Sequence, residues 1–124
     1  MMAWFGRACG ITIVGLGIAL LLVATVGETA SSTSYGVVLA MVPWVGVGAF
    51  VVATRPSNLV GWLFSAVGLL WLSGEVVYGW ALGTTDATDP FLPYASWYVA
   101  SSWIPGLGLL FVAAMLFPSG RLRP

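Results

Sequence analysis

Residues 51–68 read "VVATRPSNLVGWLFSAVG", and the junction inside them, Arg55-Pro56-Ser57-Asn58, decides the fold. Two apolar runs meet there. Pro56 disfavours helix at Arg55 and so closes the run before it. Ser57 or Asn58 suits the N-cap of the run behind it, where a side-chain oxygen accepts from the first exposed N–H groups. The stretch is predicted to be a tight hairpin turn between two helices, with Arg55 as the charge that keeps the turn on one side of a membrane.

Composition sets the context for that hairpin. The 124 residues are 60% hydrophobic and 6% charged, with no histidine, and all four basic residues are arginine. A soluble surface of this size has no place for so much apolar side chain. The expected class is all-α, an integral membrane four-helix bundle forming a single transmembrane domain over 1–124. Helices are expected over about 8–26, 35–54, 59–82 and 97–117. At about 1.5 Å per residue each reaches about 30 Å, the depth of the hydrocarbon layer. Lipid offers the backbone no partners, so runs of this length must be helical. Pro43 and Pro105 each remove one backbone donor inside a run, and each is expected to kink its helix without ending it.

Charge orients the chain. Arg7 precedes the first run, Arg55 separates the second and third, and Arg121 and Arg123 follow the fourth. Four spans put all of these on one face, and Glu28, Asp86 and Asp89 on the other. The positive-inside rule makes the arginine face cytoplasmic, with both termini inside, in the plasma membrane. The start of the chain also has a rival reading as a secretory signal peptide. Its apolar stretch is longer than a usual signal core, and no A-x-A site follows it.

The third run carries the most information. Trp62 and Trp80 share a face and stand about 27 Å apart, which matches indoles at the two interfaces and predicts that this face meets lipid. Gly61, Gly68, Trp71, Glu75 and Tyr78 lie opposite and are predicted to pack inside the bundle, where glycine permits close helix approach. Glu75 is the charged residue placed within a span, about 24 Å along the helix from the cytoplasmic end. No arginine reaches it. It must snorkel outward, accept hydrogen bonds or take up a proton, and Ser101, Ser102 and Trp103 lie at a similar depth as donors. Glu75, Tyr78 and Trp103 are therefore the candidate sensing residues, against the plainer reading of a near-interface carboxylate reaching outer headgroups.

The remaining polar groups offer little chemistry. Asp86 and Asp89 without a glycine-centred loop or a third acidic ligand are a poor cation site, and a solvated turn is the better reading. Tyr94, Trp97 and Tyr98 behind them look like an interfacial aromatic belt. Paired glycines (6 and 10, 15 and 17, 46 and 48, 106 and 108) favour close contacts within the chain or between copies. Cys9, the single cysteine, excludes an intrachain disulfide; it is either an acylation site or an inert thiol. Without histidine there is no phosphoacceptor histidine and no histidine-based metal or acid–base site. There is no phosphate-binding loop, no nucleophile elbow and no basic patch for nucleic acid. The chain is expected not to be an enzyme by itself and to use no cofactor or metal.

"ATRPSNLVGWLFSAVGLLWLSGEVVYGWAL", followed by a helix ending in "MLFPSGRLRP", resembles the N-terminal multi-helix membrane region of actinobacterial-type sensor histidine kinases. In that family a hairpin reads R-x-P-x-N-x-x-G-W-L or close to it, a Glu and a Tyr follow near the outer end, and a later helix exits in F-P-D-G-R-L-P. The matching residues are Arg55, Pro56, Asn58, Gly61, Trp62, Glu75 and Tyr78, then Phe117, Pro118, Gly120, Arg121 and Leu122. Ser119 stands where the family usually has aspartate. The resemblance covers roughly 53–124 and implies the sensing or anchoring input part of a two-component kinase, as a fragment or a stand-alone copy. A full-length relative would be a protein histidine kinase. The partners implied are the lipid bilayer and a second copy or a kinase, met through glycine-rich helix faces. The alternative is a small structural or transport-associated four-helix membrane protein.

Overall fold

The structure is a computed structural model and describes residues 1–26, 32–84 and 86–117. Among them every regular element is helical: α1 (Met2–Val26), α2 (Ser32–Thr54), α3 (Leu59–Gly83), α4 (Leu92–Ser101) and α5 (Trp103–Leu116). Three of the four expected runs agree with these helices in the main. The first begins earlier, so exposed Arg7 lies inside α1 rather than before it. The second and third span 32–54 and 59–83 against the expected 35–54 and 59–82.

The fourth run departs most. It starts at Leu92, five residues before the expected 97, because Pro93 sits in its first turn, where a missing N–H costs nothing. It is then interrupted at Ser102. Pro105 cannot donate to the carbonyl of Ser101, so an unbroken helix would carry a vacant bond there. Ending α4 at Ser101 and starting α5 at Trp103 turns Pro105 into a first-turn residue. Pro43, by contrast, is carried within α2 without interruption.

The 51–68 junction folds as a closed turn. The Arg55 N–H donates to the Val51 carbonyl at 2.7 Å, and the Asn58 N–H donates to the Arg55 carbonyl at 2.9 Å. Asn58 is the N-cap of α3, its Oδ1 accepting from the Val60 N–H at 3.0 Å. The Trp62 indole reaches back and donates to the Pro56 carbonyl at 2.9 Å. Trp62 is half-buried and packs against the core of Ile13, Val45, Ala49, Val52 and Leu72. This corrects the outward face expected for it: a nearby unpaired carbonyl at the turn captures the indole N–H. Trp80, its partner in that expectation, is exposed.

Small residues set the packing. On α1 a Cβ added at Gly6 would stand 2.8 Å from the Val52 carbonyl oxygen and 3.1 Å from the Pro56 ring. One at Gly10 would stand 2.8 Å from the Ala53 Cβ, and one at Gly17 2.8 Å from the Val45 side chain. These contacts descend α2 as they climb α1, so the two helices are antiparallel. On α3, Gly61 lies under Val51 and Val52, Ser65 under Gly48, and Gly68 under Val45 and Trp44. The buried Ser65 hydroxyl is satisfied by the Gly61 carbonyl of its own helix at 2.9 Å. Trp44 adds an edge-on contact to Phe64, ring centres 5.2 Å apart.

The result is less closed than the four-helix bundle expected from the sequence. Helices α1, α2 and α3 touch one another, whereas α4 and α5 pack on α3 and on each other, with no close backbone approach to α1 or α2 among the described residues. Large apolar side chains point outward, among them Ile11, Leu16 and Leu22 on α1 and Ile104, Phe111 and Met115 on α5. Residues such as Gly6, Gly10, Gly48, Gly61, Gly68 and Ala113 lie inside. Three helices are long and apolar enough to cross a membrane: Met2–Val23, Leu59–Gly83 and Leu92–Leu116. Within α2 the described apolar stretch is Leu39–Thr54.

Candidate functional site

The interruption at Ser102 and the upper part of α3 border the site. Trp71, Gly74 and Glu75 lie one helical turn apart on α3 and present a common face to the α4–α5 break. Gly74 makes the approach possible, since a Cβ there would stand 3.2 Å from the Ser102 hydroxyl. Above it the Ser73 hydroxyl bonds Tyr98 on α4 at 2.6 Å and also donates to the Leu70 carbonyl at 2.7 Å. Below it, Trp71 packs on Gly106 of α5. Between these two contacts lies a cavity of about 220 Å³, lined by Trp71, Gly74, Glu75, Ser102, Trp103 and, across from α2, Met41.

Two of the three candidate sensing residues therefore meet, and one does not. Glu75 and Trp103 line the cavity. Tyr78 is exposed, which corrects its expected place inside the bundle. The serines and the indole expected to supply Glu75 with donors are engaged elsewhere. Ser101 Oγ donates to the Trp97 carbonyl at 2.6 Å, Ser102 Oγ to the Val99 carbonyl at 3.4 Å, and Trp103 Nε1 to the Ala100 carbonyl at 2.7 Å. All three bond backbone carbonyls toward the C-terminal end of α4. Half-buried Glu75 is left without a hydrogen-bond or ion-pair partner among the described residues.

Trp71, seen in the sequence only as a packing residue, is part of the site. Its Nε1 is buried without a partner. An unmade bond of this kind costs about 1–3 kcal/mol, so close packing against Gly106, not hydrogen bonding, sets this ring's position.

The other polar residues serve the turns. Asp86 Oδ1 accepts from the Thr88 hydroxyl at 2.6 Å and the Thr88 N–H at 2.9 Å, and Asp89 Oδ1 accepts from the Phe91 N–H at 2.8 Å. The Thr88 hydroxyl, and then its N–H, hold the Asp86 carboxyl below the usual carboxylate range. Among the described residues no group of acidic, histidine or cysteine side chains is placed to hold a metal. Cys9 is half-buried against the core cluster. Of the exit motif, Phe117 ends α5 and is exposed, while Pro118, Gly120, Arg121 and Leu122 lie outside the described residues, as does Glu28. Comparison with protein-family models, with curated proteins and with solved structures finds no match.

Proposed function

We propose that this chain is a membrane-embedded, non-catalytic input and anchoring module that works with a sensor histidine kinase, its arginine-bearing end and both termini on the cytoplasmic face of the plasma membrane. Placement in the membrane is supported by the reversal of side-chain size: glycine, alanine and serine line the helix contacts, and leucine, isoleucine and phenylalanine face out. Lipid solvates such an exterior, and close backbone approach holds such an interior. The orientation is supported by Arg55 and Arg7 at one end, joined through the Gly6–Pro56 contact, and Asp86 and Asp89 beyond the far end of α3.

The single observation that carries the input role is the cavity at the α4–α5 break, with an unpaired carboxylate in its wall. A packed anchor has no use for either. The link to a kinase rests on the resemblance in the hairpin. There Asn58, Gly61 and Trp62 each have a structural task, so they support a shared hairpin architecture and no shared reaction.

The test is a chimera. The chain is fused ahead of the dimerisation and catalytic regions of a well-behaved sensor histidine kinase, reconstituted, and assayed for autophosphorylation. Glu75→Gln and Gly74→Leu are expected to change the output, and Gly15→Leu, at a position facing open space, to leave it unchanged. Equal phosphorylation in all of them would remove the input role and leave anchorage.

A further inference from the structure

The chemistry of the cavity wall selects a ligand. Glu75 contributes a carboxylate that no cation among the described residues neutralises: Arg7 and Arg55 lie at the opposite end of the molecule. Trp71 and Trp103 contribute indoles, and Met41 a polarisable thioether. Both rings are held before any ligand arrives, Trp71 by its seat on Gly106 and Trp103 by its bond to the Ala100 carbonyl. A carboxylate beside held indole surfaces is the arrangement that attracts an organic cation: the anion supplies charge, and the aromatic faces attract N-methyl or N-methylene groups. A metal ion would find one carboxylate and no second anionic ligand. An anion would meet Glu75 directly.

We propose that the cavity between α3 and the α4–α5 break binds a small organic ammonium ion, its charged nitrogen at Glu75 and its apolar part against Trp71, Trp103 and Met41. At about 220 Å³ the space takes a compact amine or quaternary ammonium. The site stands whether or not a kinase reads it, so its failure and that of the input role are separable.

The experiment uses the full chain in nanodiscs and equilibrium dialysis of labelled benzyltrimethylammonium, with neopentylbenzene as the uncharged carbon isostere of the same shape. Empty nanodiscs give the partition into lipid. The expected result is saturable retention of the cation, weakened about tenfold or more by Glu75→Gln and by Gly74→Leu, which fills the space. Neopentylbenzene is expected to show no saturable component. Circular dichroism and monodispersity establish that both variants fold, and Gly15→Leu serves as a substitution outside the site. Saturable binding of the neutral isostere with equal strength, unchanged cation binding in Glu75→Gln, or retention no greater than in empty nanodiscs would each overturn the proposal.

Discussion

Trp71 and Gly106 are fitted to each other: a β-carbon on Gly106 would overlap the indole nitrogen and stand 2.7 Å from Cε2. A rigid bicyclic ring has no soft end to give way. Gly106→Ala is therefore expected to destabilise the protein by about 1–3 kcal/mol, and Trp71→Leu is expected to relieve most of that cost. Reversible unfolding in mixed SDS micelles, run as a double-mutant cycle, measures the coupling. Additive losses would mean that the two residues do not share the contact.

The hairpin turn offers a second measurement. Asn58→Ala removes the cap on the Val60 N–H and is expected to cost about 1 kcal/mol, whereas Asn58→Asp keeps an acceptor in place and costs less. Trp62→Phe leaves the Pro56 carbonyl without its indole donor at a similar cost, about 1 kcal/mol. The same unfolding assay reads all three.

Glycines on α1 divide into packed and open positions. A side chain at Gly10 collides with Ala53 and with the Ala49 carbonyl, and one at Gly15 meets nothing within 4 Å. Gly10→Leu is expected to separate α1 from α2 and to cost about 1–3 kcal/mol or more, while Gly15→Leu falls within about 0.5 kcal/mol of wild type. A disulfide reporter pair across α1 and α2 would register the separation directly.

Acidity acts on the Asp86 turn in a definite direction. Its carboxyl titrates below the usual carboxylate range because Thr88 donates to the ionised form. The turn is thus favoured above the unfolded carboxylate value, and that contribution is lost as pH falls through the lower folded value. Thr88→Val removes the hydroxyl donor and is expected to move the Asp86 titration upward, seen in the carboxyl carbon shift by NMR. An unchanged titration would show that the backbone bond alone sets it.

Reversing the charge at Arg55 tests orientation. Arg55→Glu removes a positive residue from the turn that the proposed topology places in the cytoplasm, and is expected to lower the fraction of correctly inserted chains. Reporter fusions after Thr54 and in the 86–89 turn measure it; wild-type orientation in the variant would count against a topological role for Arg55.

How much of this was legible in the sequence varies by residue. Run length and the Pro56–Asn58 junction located the hairpin and its cap, because both depend on local backbone chemistry alone. Trp62 was misplaced because helical periodicity assigns a face without registering a free carbonyl six residues earlier. The break at Ser102 was hidden because Leu92–Leu116 reads as one apolar span through Pro105. Glu75 and Trp103 were matched by depth, which antiparallel helices preserve. Trp71 completes the site, and Tyr78 drops out of it, only once α3 is known to face α4–α5 along part of its length.

The packing of α4–α5 on α3 divides the fold into two parts. The first three helices make their glycine-lined contacts with one another. The remaining segment packs on the wall they form, and the cavity lies at that seam. Whatever loosens or tightens that one seam acts on the cavity without unmaking the hairpin that anchors the rest.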